Sequence, residues 1–290
     1  MNPILIIGAT GTVGGQVVQQ LTAMGTPVRA LVRNPAAADL PQSVDVIEGD
    51  LTRPETLDAS LNGIDTVFLV WTAPPPAFAP AFERIAKHAR RIVFLSAPLK
   101  TPHPLFQQPN RARDLGEQIE RSIEASGLQW TFLRPGMFAA NALLWWAPQI
   151  RAGNVVRWPY LDVPTAPIDE RDIAAIAVRA LTEDHHAGAE YLITGPDSLT
   201  HSAQISIISR VINRPLKVEE IPPDEAPREL QAIMPLPAAN MLCNAWAAAV
   251  GHPAFMTRGF QEITGTPPRS FLTWVTDHIT EFKISVPAVR

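Results

Sequence analysis

The sequence predicts an α/β fold, with a doubly wound parallel sheet followed by a smaller, irregular C-terminal portion. The apolar run from Ile4 to Ile7 passes directly into the glycine-rich stretch from Gly8 to Gly15, as a buried strand does when it turns into a helix. Short apolar strands then alternate with helical patterns as far as residue 135, which indicates a parallel sheet. Beyond that residue the alternation becomes irregular, so we expect one domain over residues 1–135 and a smaller portion over 136–290.

Each element follows from the spacing of its apolar residues. Val13, Val17 and Leu21 recur at helical spacing, which predicts the first helix over residues 12–24, ended by Gly25. Further strands of the sheet are predicted at residues 28–32, 44–47, 66–70, 92–95 and 130–133, and helices at 54–61, 82–89 and 113–125. In the C-terminal portion, helices are predicted at residues 138–150, 172–181, 203–212, 238–250 and 269–282, and strands at 191–194 and 216–221. The helix and strand near residues 169–194 are predicted to return to the sheet.

Composition excludes several classes of protein. The 290 residues are 46% hydrophobic and carry a net charge of −4, which suits a globular protein and gives no electrostatic reason to expect nucleic-acid binding. A single cysteine, Cys243, excludes intrachain disulfides and cysteine-built metal sites. His185 and His186 lie in a polar stretch and are predicted to be solvated, so no metal site is expected. Because no apolar run is long enough for a membrane helix and the chain opens on a strand, we expect a cytoplasmic protein without a membrane anchor.

The glycine stretch has the spacing G-x-x-G-x-x-G. Gly8 permits a tight turn, Gly11 lets the backbone approach a pyrophosphate, and Gly14 lets the helix pack against the strand. The N–H groups at the N-terminus of the helix then face the phosphates. This context predicts a dinucleotide-binding domain of the Rossmann type, and the alternative is a glycine-rich turn without a ligand. The residues predicted to bind the dinucleotide here are Gly8, Thr10, Gly11, Thr12, Val13 and Gly14.

The residues after the second and third strands bear on the choice of dinucleotide. Arg33 follows Gly14 by nineteen positions, where an NAD-specific site has an acidic residue. A guanidinium at this point can pair with a 2′-phosphate or stack on adenine, so NADP is favoured over NAD. The alternative is a solvated surface arginine. Asp50 and Leu51 are predicted to lie against the adenine. The carboxylate of Asp50 can accept a hydrogen bond from the adenine amino group; the alternative is that Asp50 is a turn residue.

These segments and several others resemble the NmrA-like group of atypical short-chain dehydrogenase/reductases. The matching stretches are GATGTVG at residues 8–14, VRALVR at 28–33, EGDL at 48–51, VFLS at 93–96, SGLQWTFLRPG at 126–136 and GTPPRSF at 265–271. The resemblance spans nearly the whole chain and implies an NAD(P)-binding Rossmann fold. For activity it implies either an NAD(P)H-dependent reductase or a nucleotide-sensing regulator without turnover.

The proton donor of the wider dehydrogenase family is missing. There, a tyrosine followed four residues later by a lysine supplies the proton. Tyr160 and Tyr191 are the only tyrosines of this chain, and the segment 110–117, where the pair should lie, contains neither Tyr nor Lys. Ser96, after the fifth strand, occupies the position of the family's substrate-facing serine and is the one candidate catalytic residue. The alternative is a hydroxyl that satisfies a loop amide.

Other residues at the ends of predicted strands are expected to surround the nicotinamide and its substrate. Those predicted to contact the cofactor are Val70, Trp71, Ser96 and Pro135. Those predicted to line a substrate pocket are Thr72, Phe138, Asn141 and Trp145. The last three lie on one face of a predicted helix, and such a stripe is either a pocket wall or part of the core.

A complete cofactor pattern without the Tyr/Lys pair predicts an NADPH-dependent reductase of a small conjugated or iminium-like acceptor. Such an acceptor is already cationic, or is protonated from water, and needs no strong acid from the enzyme. The alternative is an NADP(H)-sensing regulator that binds a protein partner and has no turnover. A third possibility is a biosynthetic enzyme with non-redox chemistry in the same fold.

Overall fold

The computed structural model describes residues 2–109 and 111–283. In chain order the strands are β1 (Ile4–Ile7), β2 (Val28–Val32), β3 (Asp45–Glu48), β4 (Thr66–Leu69), β5 (Arg91–Leu95), β6 (Gln129–Pro135), β7 (Val155–Trp158), β8 (Pro164–Thr165), β9 (Ala189–Ile193), β10 (Leu199–Thr200) and β11 (Lys217–Glu220). The α-helices are α1 (Thr12–Ala23), α2 (Asp58–Leu61), α3 (Phe78–His88), α4 (Arg111–Glu124), α5 (Asn141–Trp145), α6 (Ala147–Ala152), α7 (Glu170–Thr182), α8 (His201–Val211), α9 (Ala226–Leu230), α10 (Leu236–Ala249), α11 (Gly259–Thr264), α12 (Phe271–Asp277) and α13 (Ile279–Phe282).

Two compact units divide the described chain. The first comprises residues 2–99, 111–135 and 170–193, and the second comprises residues 100–109, 136–169 and 194–283. Helix α7 and strand β9 therefore belong to the first unit. Residues 100–109 belong to the second unit, which differs from the predicted domain of residues 1–135. Among the described residues, no helix has the length and apolar character needed to span a bilayer.

The first unit is built on a seven-stranded sheet in the order β3-β2-β1-β4-β5-β6-β9. All neighbouring strands are parallel, so the predicted doubly wound parallel sheet is confirmed. Strand β1 is buried along its whole length, as its uninterrupted apolar run predicts. From β1 the chain first adds β2 and β3 on one side of the strand, and then crosses over to add β4 on the other side. This reversal is the topological switch point where ligands of such sheets bind.

The helix predicted over residues 138–150 is wrong in its start and its continuity. Helix α5 begins only at Asn141, and Trp146 separates it from α6. Pro148, in the first turn of α6, has no N–H to donate to the preceding turn, which accounts for the break between the two helices. Phe138 lies before the helix and forms a β-bridge with Ile168. Of the residues chosen for one helical face, Asn141 and Trp145 share α5 and Phe138 lies outside it.

Tryptophans form much of the core of the second unit. Trp145, Trp146, Trp158 and Trp246 are packed with contacting ring centroids 5.3–5.9 Å apart. Only 6% of Trp145 is exposed. The structure therefore favours the core interpretation for this residue over its predicted position on a pocket wall.

His201 lies inside this tryptophan cluster. Its ring centroid is 5.1 Å from that of Trp246, and its Nδ1 lies 3.0 Å from the carbonyl oxygen of Tyr160. Among the described residues, the Nε2 atom of His201 has no hydrogen-bond partner. Burial lowers the pKa of His201 to about 4, although hydrogen bonds to the backbone of Tyr160 and Pro159 oppose the shift.

Acid is expected to destabilise the protein through His201. The unfolded chain, in which the pKa is about 6.5, binds the proton more readily than the folded one. The contribution of His201 to the free energy of unfolding is therefore fully present above pH 6.5 and is lost as the pH falls towards 4. The loss reaches about 3 kcal/mol, at 1.36 kcal/mol per pKa unit. Urea denaturation between pH 7 and 4.5 measures this slope. The slope of stability against pH should flatten in His201→Gln. It should persist in His88→Gln, which alters an exposed histidine. An unchanged slope in His201→Gln would contradict the assignment of the acid sensitivity to His201.

Candidate nucleotide-binding site

The turn from β1 into α1 requires glycine at two positions. Gly8 has a φ of +91°, a region that other residues rarely adopt. A Cβ atom on Gly14 would lie 2.0 Å from the carbonyl oxygen of Gly8, so only glycine permits this approach of helix to turn. The N–H of Gly11 donates to the Gly8 carbonyl oxygen at 3.0 Å and closes the turn.

The N-terminus of α1 is open to an anion. Gly11 is the N-cap residue, no side chain caps the helix, and its first turn has no acidic residue. The first amides of a helix have no partner within it, and the helix dipole adds positive potential at the same point. The loop therefore fits a phosphate or pyrophosphate group bound by backbone N–H groups.

A cleft of about 510 Å³ opens beside this helix end, a volume typical of small-molecule sites. It lies within the first unit, and the predicted residues Thr10, Gly11 and Thr12 line it. The remaining lining residues are Ala9, Gly15, Gln16, Gln19, Ala37, Asp39, Leu40, Pro41 and Glu170. Sequence reasoning missed the lining residues Ala37, Asp39, Leu40 and Pro41 because the loop after β2 has no motif. Only the position of this loop after the second strand of the sheet could have indicated it.

Arg33 and Asp50 differ in their exposure and in their hydrogen bonds within the protein. Arg33 follows β2 directly and is exposed. Asp50 Oδ1 accepts hydrogen bonds from the N–H and the hydroxyl of Thr52, both at 2.8 Å. These bonds, with smaller contributions from Arg53 and Arg33, lower the pKa of Asp50. Oδ1 of Asp50 is thus bonded within a turn, and a contact of this carboxylate with adenine stays a prediction. The side chain of Leu51 is part of the core of this unit.

Ser96 belongs to a buried network of charged residues. Its hydroxyl donates to Glu120 Oε1 at 2.7 Å, and the guanidinium of Arg134 donates to both oxygens of Glu120 at 2.9 and 2.6 Å. Arg134 also donates to Glu190. Burial disfavours the charged form of Arg134, but the bonds to Glu120 and Glu190 outweigh it and raise the pKa of Arg134. The proton of Ser96 is therefore directed into the protein.

The other predicted cofactor residues of the first unit follow strands of the same parallel sheet. Val70 and Trp71 come directly after β4, and Pro135 ends β6. Trp71 packs edge-on against Phe78, with ring centroids 5.2 Å apart, and its Nε1 has no hydrogen-bond partner in the described part of the chain. Since the carboxyl ends of parallel strands meet at one edge, these residues lie at the same edge as the glycine loop.

The predicted pocket residues do not share a unit. Thr72 is exposed in the first unit, and Phe138 and Asn141 are half-buried in the second. Their assignment to a substrate pocket stays a prediction.

Comparison with known proteins places these features in a family. A family model described as NAD(P)H-binding matches residues 8–184. The chain is 39% identical over 286 residues to the (4-alkanoyl-5-oxo-2,5-dihydrofuran-3-yl)methyl phosphate reductase of Streptomyces griseus, which covers 96% of this chain and 99% of that protein. It is 33% identical over 287 residues to the NAD(P)H azoreductase of Xenophilus azovorans, again covering 96% of this chain and 99% of the relative.

Solved structures share the fold. The NADPH-dependent quinone oxidoreductase of Escherichia coli, complexed with NADPH, has a TM-score of 0.77 and 23% identity, covering 95% of this chain and 99% of that one. The triphenylmethane reductase of Citrobacter sp., complexed with NADP(H), also has a TM-score of 0.77, with 18% identity over 96% of this chain and 99% of that one.

Proposed function

Since this chain belongs to the NAD(P)H-binding family, in the NmrA-like group of atypical short-chain dehydrogenase/reductases, we propose that it is an NADPH-dependent reductase of a small conjugated or iminium-like acceptor. The observation that carries cofactor binding is the uncapped N-terminus of α1 beside the glycine turn. Bound NADPH would supply a hydride. The net charge of −4 and the single cysteine support a small-molecule substrate, not nucleic acid, and a reducing cytoplasmic setting.

The names of the relatives support the class of acceptor. The furanone in the name of the Streptomyces protein has a ring double bond conjugated with two carbonyl groups, and an azo compound has an N=N double bond. Both are π bonds that accept a hydride at one atom and a proton at the other. Neither needs the Tyr/Lys pair that this chain lacks. When the hydride adds to one atom of the π bond, the other atom becomes electron-rich, and water can protonate it.

Ser96 is proposed to orient a ligand instead of protonating it. Its hydroxyl donates to Glu120 at 2.7 Å, so the oxygen of Ser96 retains lone pairs but no free proton. A lone pair at the end of β5 can accept from an N–H or O–H group of a bound molecule. We infer that the proton reaching the reduced acceptor comes from solvent.

Preference for NADPH over NADH is proposed to depend on Arg33. A guanidinium at the end of β2 can form charge-assisted hydrogen bonds with a 2′-phosphate, and NADH has no such group. In Arg33→Ala we expect the affinity for NADPH to fall by about tenfold or more and the affinity for NADH to stay nearly unchanged. Isothermal titration with both nucleotides measures the two affinities.

The control for this prediction is Arg53→Ala. Arg53 is also exposed and also lowers the pKa of Asp50, but it lies in a different turn. It should leave both affinities unchanged. An equal loss of NADPH and NADH affinity in Arg33→Ala would assign Arg33 to adenine or to no contact, and would remove the basis for NADP preference.

The reductase proposal is tested with purified protein, NADPH and a panel of acceptors. The panel contains an unsaturated lactone, a quinone, an azo dye and a cationic triphenylmethane dye, with a saturated ketone as the control. We expect oxidation of NADPH, followed by its absorbance, with at least one conjugated or cationic acceptor and none with the ketone. Tight binding of NADPH without oxidation by any acceptor would overturn the reductase and favour the sensing regulator.

A further inference from the structure

The loop between α7 and β9 is held at the sheet edge opposite the glycine turn. Arg91, at the start of β5, donates to the carbonyl oxygens of Leu181 at 3.2 Å and Glu183 at 2.9 Å. The same guanidinium pairs with Asp184 at 2.5 Å. Only 7% of Arg91 is exposed. The backbone that carries the next side chains is therefore fixed by an anchored, buried arginine.

Three potential metal ligands meet in this loop. The Nε2 atoms of His185 and His186 lie 3.4 and 3.3 Å from Glu183 Oε2. All three ligand atoms lie within 4.8 Å of one another. Around a tetrahedral zinc ion with bonds of about 2.0–2.1 Å, two ligand atoms are about 3.3–3.4 Å apart. The observed separations from the carboxylate oxygen match that geometry.

The ring of His186 is oriented by contacts on its far side. Its Nδ1 lies 2.6 Å from the hydroxyl of Tyr191, and its carbonyl oxygen accepts from the hydroxyl of Thr131 at 2.7 Å. The side chain is 4% exposed. Its Nε2 lies within hydrogen-bond distance of Glu183 Oε2, at 3.3 Å. An ion bound there would select the tautomer whose proton is on Nδ1 and is donated to Tyr191, which is the arrangement that outer hydrogen bonds give metal-binding histidines.

We propose that Glu183, His185 and His186 form a binding site for a divalent cation of the zinc type, with water completing the coordination. The sequence predicts that both histidines are solvated and that there is no metal site. The prediction of a solvated side chain is wrong for His186, which is buried. His185 is 74% exposed. Two imidazoles with one carboxylate are a ligand set that zinc accepts and that magnesium, which prefers oxygen, does not. The bound ion would close the turn of residues 183–186 that follows α7, away from the glycine turn.

The site is tested by isothermal titration of the full-length, untagged protein with Zn²⁺ and with Mg²⁺. We expect a single Zn²⁺ ion to bind and Mg²⁺ not to bind. His185→Ala, which removes an exposed ligand, should weaken Zn²⁺ binding by about tenfold or more. Tyr191→Phe keeps the ring but removes the partner of Nδ1 and should weaken binding by about tenfold. His88→Ala removes an exposed histidine outside the cluster and should bind Zn²⁺ as the wild type does.

Thermal unfolding gives an independent readout. Zn²⁺ should raise the melting temperature of the wild type and of His88→Ala by more than that of His185→Ala, because an ion that binds only the folded state stabilises it more the more tightly it binds. The proposal is overturned if His185→Ala binds Zn²⁺ as tightly as the wild type, or if Mg²⁺ binds equally well. Since the ligands are separate from the glycine turn, neither result depends on reductase activity.

Discussion

Replacement of Gly14 by alanine is expected to destabilise the protein by about 3 kcal/mol or more and to abolish nucleotide binding. The new Cβ would lie 2.0 Å from the Gly8 carbonyl oxygen and 2.7 Å from its carbonyl carbon. Backbone atoms cannot move aside as a flexible side chain can, so the cost reaches or exceeds the upper end of the range for overpacking. Urea denaturation measures the loss of stability, and titration with NADPH measures the loss of binding.

The neighbouring glycine provides a matched control for stability. A Cβ on Gly15 would lie 3.6 Å from the Ala9 carbonyl oxygen, which is an ordinary contact. Alanine also favours a helix interior over glycine by about 1 kcal/mol. Gly15→Ala should therefore fold at least as stably as the wild type. Equal stability of the two variants would show that the close approach of Gly14 to the turn does not constrain the fold.

Replacement of Glu120 by alanine is expected to lower the free energy of unfolding by about 3–5 kcal/mol. Glu120 and Arg134 are each 2% exposed, and Glu120 binds Arg134 through both carboxylate oxygens. Without Glu120, the guanidinium loses two hydrogen bonds in a site that water does not reach, and Ser96 loses its acceptor. Chemical denaturation compares the variant with the wild type.

A surface ion pair is the control for this effect. Arg84 donates to Asp58 at 2.6 Å, with side chains that are 37% and 58% exposed. Asp58→Ala should cost about 1 kcal/mol or less, because water solvates the charges that remain. If Glu120→Ala costs no more than Asp58→Ala, the buried network does not stabilise the first unit. A double variant with apolar residues at positions 120 and 134 should recover much of the stability that Glu120→Ala loses.

The first unit could be predicted closely because its signals are local. Strand β2 occupies the predicted residues 28–32, and α1 ends at Ala23, two residues before the glycine expected to stop it. The elements beyond residue 135 were predicted less well. The two-residue strands β8 and β10 pair only with each other, and nothing in such short segments distinguishes them from loops.

The candidate site divides in the same way. Gly8 and Gly14 were identified because a turn of this shape excludes side chains at those positions, and Gly11 because it completes their spacing. The buried partners of Ser96 were not identified, since Glu120 and Arg134 are far from it in sequence and a charged residue on an amphipathic helix is ordinarily solvated. The burial of His186 depends in the same way on its contact with Tyr191.

The sequence by itself determined the parallel sheet, the glycine turn and the absence of a Tyr/Lys pair, since periodicity, spacing and residue identity are each read directly from the chain. Only the tertiary structure decided that Trp145 belongs to the core, that Ser96 donates to Glu120, and that Glu183 meets two histidines. The first two depend on which distant segments the chain brings together and on how completely they exclude water, and the third depends on the conformation of one loop. Local periodicity and spacing contain no information on any of these.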